Sequence, residues 1–158
     1  MKLEDQVTCL ELSRKLRELD IKQGYTMFYW DDSKDTPRLL YYKEIKEMHE
    51  KFQGAICDYY SAFTASELFQ ILPNCVATSE NDPFNNYRLA IWKFLHIENP
   101  LELRMVYNCA INYECDTHLA TDNAWDRKYL IKNIWDKNPA NAFAKMLIYL
   151  IEQKLIEV

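Results

Sequence analysis

Residues 101–112, Leu-Glu-Leu-Arg-Met-Val-Tyr-Asn-Cys-Ala-Ile-Asn, alternate between two kinds of side chain. Leu101, Leu103, Met105, Tyr107, Cys109 and Ile111 fall on one side of a pleat. Glu102, Arg104, Val106, Asn108, Ala110 and Asn112 fall on the other. A period of two belongs to an extended strand with one buried face and one wetter face. Residues 87–95 have the same strand character, and Asn99-Pro100 supplies a turn between the two.

Working outward, each end of the chain carries a helical pattern. Residues 143–151 place Phe143, Met146, Leu147, Leu150 and Ile151 at the spacing of one helix face. Asn138 caps that helix and Pro139 takes its first position, where a missing N–H costs nothing. Near the N-terminus, Cys9, Leu12, Leu16 and Leu19 recur at helical spacing. Thr8 and Glu11 are placed as a capping box there, and Val7 with Leu12 as a hydrophobic staple. Phe63, Thr64, Glu67 and Leu68 repeat the same device before a short middle helix that Pro73 ends.

Between the first two helices, residues 25–30 and 38–42 are rich in aromatic and aliphatic side chains and flank a polar turn at 31–37, which predicts a hairpin. Residues 43–52 are highly charged and read as a short exposed helix or a long excursion. A further short strand is expected near 117–121. In residues 125–135, Leu130, Ile131, Ile134 and Trp135 favour helix over strand. The chain is thus expected to be α+β, a single domain over residues 1–158. It packs an antiparallel sheet of about four to six strands with an N-terminal helix, a short middle helix and a C-terminal amphipathic helix.

Composition excludes more function than it suggests. The only glycines, Gly24 and Gly54, cannot form the closely spaced glycine loops that cradle nucleotide phosphates. Twenty-four acidic residues against 19 basic ones give a formal net charge of −5, which disfavours non-specific nucleic-acid binding driven by counterion release. The cysteine count, five, is odd. With irregular spacing and no apolar leader in residues 1–6, it fits free thiols in a reducing, cytoplasmic setting. The apolar run 146–151 is far too short to span a membrane.

Taken together, several segments resemble small uncharacterised proteins of bacteriophages and integrated mobile elements. These are residues 10–19 leading to Phe28-Tyr29-Trp30, then Ser61-Ala62-Phe63-Thr64-Ala65-Ser66-Glu67-Leu68 through Leu72-Pro73, then 142–155. The run Ala-Lys-Met-Leu-Ile-Tyr-Leu-Ile-Glu at 144–152 carries most of the likeness. The resemblance covers about a third of the chain and implies a phage or mobile-element origin without implying an activity.

Candidate chemistry is sparse, and each instance has an ordinary reading beside it. Cys109, Cys115 and His118 are the nearest approach to a zinc cluster, but Cys109 belongs to a core strand face and a fourth ligand is distant in sequence. Cys115, beside Asp116 and near His118, is the candidate thiol nucleophile, although a solvent-exposed loop cysteine is far more common. The carboxylate pairs Asp31 with Asp32 and Glu44 with Glu47 are expected to be solvated, the first in a turn and the second in a charged stretch. No catalytic residue, metal site or cofactor is assigned.

Two surfaces stand out. Arg14, Lys15, Arg17 and Lys22 form the densest basic group, diluted by Glu11 and Glu18. Tyr25, Phe28, Tyr29, Trp30, Tyr41 and Tyr42 crowd two facing strands, so alternation leaves some of them outward unless helices cover both faces. The expectation is a non-catalytic accessory protein that binds a macromolecular partner, a protein or a second copy of itself, through this aromatic sheet surface. The alternative is a small-molecule or nucleotide-binding protein, or a minor enzyme, with a pocket between the sheet and the C-terminal helix.

Overall fold

The computed structural model describes residues 2–23, 26–33, 35–52, 59–77, 86–99, 104–117, 126–129 and 134–157. At 48–52, 77, 86, 88, 92–99, 104–108, 110, 112, 114–117 and 126–129 it describes the backbone only. In chain order the elements are α1 (Leu10–Glu18), β1 (Phe28–Asp31), β2 (Arg38–Tyr41), α2 (Tyr42–Phe52), β3 (Tyr59–Ser61) and α3 (Ala65–Ile71). They continue with β4 (Cys75–Ala77), β5 (Asn86–Asn99), β6 (Arg104–Thr117), β7 (Asp126–Tyr129), β8 (Ile134–Asp136) and α4 (Pro139–Glu152).

The architecture is α+β, with the helices near both ends and in the middle that the periodicities predict. All strand pairings among the described residues are antiparallel. The strands divide between two sheets. A small one has the order β2-β1-β3. A larger one runs β4-β5-β6-β7, with β8 also paired to β6. Residues 104–112 of the alternating stretch lie in β6, where Ile111 and Tyr113 are fully buried and Cys109 partly so.

One apolar cluster joins the large sheet to the helices. Phe143, Met146, Leu147 and Leu150 of α4 meet Leu16 of α1, Leu68 of α3, Tyr87 of β5, and Ile111 and Tyr113 of β6. Removing each such side chain from water contributes roughly 1.5–3 kcal/mol before entropy is counted. Tyr113 also donates its hydroxyl to the Pro73 carbonyl at 2.5 Å. Ile91 shares the face of Tyr87 on β5 yet is exposed, although its cross-strand partner Ile111 is fully buried.

Helix capping follows the predicted residues at two sites out of three. Thr64 and Glu67 form the reciprocal capping box of α3, and Phe63 and Leu68 enter the same core cluster. Asn138 caps α4 through the Ala140 N–H, with Pro139 at the first position. At α1 the expected box of Thr8 and Glu11 does not form. Thr8 Oγ1 is engaged by the Phe63 N–H and the Ser13 hydroxyl, so the cap moves to Cys9, which makes no side-chain cap bond. Val7 packs with Phe28 and Ala62, not with Leu12.

Residues 126–129 and 134–136, within the stretch read as helical, are strands. The fourteen-residue β6 presents a long edge, and β7 pairs along its Glu114–Thr117 end while β8 pairs at Cys109–Ile111. Backbone pairing along that edge overrides a weak local helix signal. The charged stretch after the hairpin is helical, as α2. Thr117 is the last residue of β6, and the rest of the short strand expected at 117–121 lies outside the described residues.

Both long-range helices close in the same way. After α1, Asp20 has φ 59°, the Ile21 N–H reaches the Leu16 carbonyl at 3.0 Å, and the Asp20 N–H reaches Arg17 at 3.1 Å. After α4, Lys154 has φ 56°, with Leu155 bonded to Leu150 at 2.8 Å and Lys154 to Ile151 at 2.9 Å. This is the Schellman arrangement, whose left-handed residue is normally glycine because a Cβ there costs about 1–2 kcal/mol. Glycine's larger unfolded-state entropy offsets part of that gain. Replacing Lys154 by Gly is therefore expected to raise stability by up to about 1 kcal/mol. Asp20→Gly should give less, since Asp tolerates this backbone region better. Urea denaturation measures both.

Candidate functional site

The small sheet carries the aromatic hairpin, and both of its faces are covered. Phe28, Trp30 and Leu39 lie on one side, packed with Val7, Ala62 and Leu3. Tyr29 and Leu40 lie on the other, packed with Ile45 of α2 and with Tyr59. Phe28 and Tyr29 are buried. Trp30 is half-buried and donates its indole N–H to the Thr8 carbonyl at 2.7 Å. Five of the six predicted surface aromatics thus have a described place, and three of those are packed inward. Tyr25 lies outside the described residues.

Tyr41 and Tyr42 remain outward, 47% and 54% exposed, and a residue the aromatic pattern did not include, Met27, joins them at 60%. The Tyr42 N–H donates to the Met27 carbonyl at 2.9 Å, which sets these two side by side where the hairpin meets α2, while Tyr41, the cross-strand partner of Phe28, stands at the same end of the hairpin on the other face. A buried ring backs each tyrosine. Phe28 meets Tyr41 edge-on with centroids 4.6 Å apart, and Tyr29 lies 6.3 Å from Tyr42. Burial, followed by the neighbouring Tyr42 and Glu67, pushes the Tyr29 hydroxyl's pKa upward, so it stays neutral. Met27 was not visible as a surface residue because its position depends on where the strand begins.

The basic group is a web of paired charges. Arg14 is bound to Asp32. Lys15 reaches Glu152 at 3.3 Å and Glu18 at 3.9 Å. Arg17 donates to the Tyr59 carbonyl at 3.3 Å, and both arginines lie over the Tyr60 ring, 5.7 and 5.1 Å from its centroid. Lys22 is exposed. A cleft of about 420 Å³ opens among Arg14, Arg17, Glu18, Asp20 and Tyr60. A second, of about 400 Å³, lies along α1 and α4 between Leu12, Lys15 and Tyr149. Each is lined by charges of both signs, so a phosphate entering would compete with carboxylates already in place. Tyr60 gave no signal in sequence, because its pairing with the arginines is tertiary.

The interface between α4 and the large sheet, where a ligand pocket was one expectation, is filled by Ile111, Tyr113, Met146 and Leu147. The cysteine constellation is not brought together. Cys109 and Cys115 lie in one strand six residues apart, a backbone separation of about 20 Å at 3.3 Å per residue, whereas zinc–sulfur bonds are about 2.3 Å. Cys115 is a strand residue opposite Lys128, not a loop residue. His118 lies outside the described residues. Burial, and then the charge of Asp136, pushes the Cys109 thiol's pKa upward, which disfavours a thiolate there. Among the described residues no three His, Cys, Asp or Glu side chains converge as a metal requires.

The carboxylates expected to be solvated differ from each other. Asp31 is buried. It accepts from the Ser33 N–H at 3.1 Å and hydroxyl at 2.5 Å, and from Arg38 Nε at 2.9 Å. Burial alone would raise its pKa, but Ser33 and Arg38 together outweigh that and hold the carboxyl below its ordinary range. Glu44 accepts from the Tyr41 N–H at 2.7 Å, while Glu47 is exposed. These pairings close the hairpin turn and start α2; they do not face a common reacting position.

No family model, curated protein or solved structure matches the chain. No helix among the described residues is long and apolar enough to cross a membrane.

Asp31 has a pH signature. A carboxyl whose folded pKa is depressed contributes stability that is present above its unfolded value, about 3.9, and is lost as pH falls through the folded value. Asp31→Asn is expected to cost about 1.5–3 kcal/mol at neutral pH through its charge-assisted bonds. The gap from the parent should shrink in acid below pH ~4, as the parent's own carboxyl protonates. Denaturant titrations at several pH values read it directly.

Proposed function

We propose that this chain is a non-catalytic accessory protein, of phage or mobile-element type, that binds a protein partner through the corner formed by Met27, Tyr41 and Tyr42. The observation that carries the reading is the contrast within one hairpin: Phe28 and Tyr29 are sealed, while these three neighbours stay 47–60% exposed. Tyrosines held from behind by buried rings lose little freedom when covered and bury large area, which is how binding hot spots work. The phage or mobile-element element of the reading rests on the sequence resemblance.

Photo-crosslinking tests it. With p-benzoylphenylalanine at position 42, in cells that make the chain, one discrete protein adduct is expected, and Met27→Ser with Tyr41→Ser should abolish it. The adduct's mass distinguishes a second copy from another protein. No adduct, together with a melting temperature raised by a nucleotide or metabolite and unchanged by Tyr41→Ser, would overturn the proposal in favour of a small-molecule site.

A further inference from the structure

The hydrogen-bond pattern of the small sheet shows what its outer strands offer. Because the Tyr42 N–H bonds to Met27, alternation makes Tyr29 with Leu40 and Asp31 with Arg38 the hydrogen-bonded pairs of β1 and β2. Leu39 and Tyr41 then turn their backbone groups toward the outer edge, and so does Pro37. On the opposite strand the Ala62 N–H bonds to Phe28, which turns Tyr59 and Ser61 outward in the same way.

The β3 edge is already occupied. The Ser61 N–H donates to Gln23 Oε1 at 2.8 Å, and Arg17 of α1 donates to the Tyr59 carbonyl. Among the described residues β2 is the end strand of its sheet, and its sequence, Leu39-Leu40-Tyr41-Tyr42, is the uncharged, apolar and aromatic kind that pairs with copies of itself. Two small features stand there. Glu44 Oε2 accepts the outward Tyr41 N–H at 2.7 Å, and Pro37 has no N–H to give.

Consider two copies pairing β2 antiparallel about Leu39. The two Leu39 residues bond each other. On either side, Pro37 of one copy faces Tyr41 of the other. Pro37 cannot donate, and the Tyr41 donor is held by Glu44. Only the central pair keeps its donors, too little to hold two chains. We infer that Pro37 and Glu44 close the outer edge of β2 against strand pairing with a second copy of this chain. The protein can then show its tyrosine corner to a partner without polymerising along the adjacent edge.

The test is sedimentation equilibrium of Pro37→Thr combined with Glu44→Ala, against the parent at equal concentration, with near-ultraviolet circular dichroism to report packing. The double variant is expected to rise with concentration toward twice the parent's mass while keeping its dichroism. Pro37→Thr with Glu44→Gln retains an acceptor for Tyr41 and should associate less than the Ala double variant. Should loss of Glu44 unfold the chain, Pro37→Thr with Glu44→Asp keeps a negative charge in the first turn of α2 but withdraws the carboxylate from Tyr41, and it should associate. Parental mass in a folded Ala or Asp double variant overturns the inference, as does equal association of the Gln variant. None of these outcomes depends on the tyrosine corner, which crosslinking reports separately.

Discussion

The structure turns on Thr8, a polar residue with no exposed surface at the meeting point of four segments. Its N–H donates to the Phe63 carbonyl at 2.8 Å, its hydroxyl accepts from the Phe63 N–H at 3.0 Å and pairs with Ser13, and its carbonyl accepts from the Trp30 indole. The flanking residues extend the seam: the Val7 carbonyl accepts from Asn138 Nδ2 at 2.7 Å, and the Cys9 N–H donates to Asn141 Oδ1 at 2.8 Å. Three consecutive residues thereby join the small sheet, the entry to α3 and the start of α4. A buried donor left unmade costs about 1–3 kcal/mol, so these bonds favour one arrangement of the elements.

That seam explains why the aromatic hairpin is less of a surface than its composition suggests. Drawn in by Thr8 and Val7, the N-terminal segment covers the face bearing Phe28 and Trp30, while α2 folds Ile45 over Tyr29 on the other. What is left is the corner where the strand gives way to helix. There Met27, Tyr41 and Tyr42 stay exposed. The same junction places Glu44 against the Tyr41 N–H, so the start of α2 shapes both the exposed corner and the closed edge.

Much of the fold was legible in periodicity and capping. The strand at β6, the α4 stripe, and the caps at Thr64 and Asn138 depend on residues close in sequence, and local chemistry settled them. The misread parts depend on distant partners. Thr8 has the right chemistry for a cap but is claimed by Phe63, fifty-five residues away. Residues 126–129 and 134–136 became strands because β6 offered an edge. The site was less legible than the fold. Burial of Phe28 and Tyr29, the closure of Arg14 on Asp32, and the separation of Cys109 from Cys115 all require the tertiary arrangement.

The seam's central role is tested most directly by native-state hydrogen exchange. If the seam joins the whole molecule, the Thr8, Cys9 and Phe63 amides and the Trp30 indole exchange only through global unfolding, with the free energy of core amides such as Leu147. Exchange of the Thr8 and Trp30 protons through a low-energy opening of the N-terminal segment, while Leu147 stays protected, would contradict it.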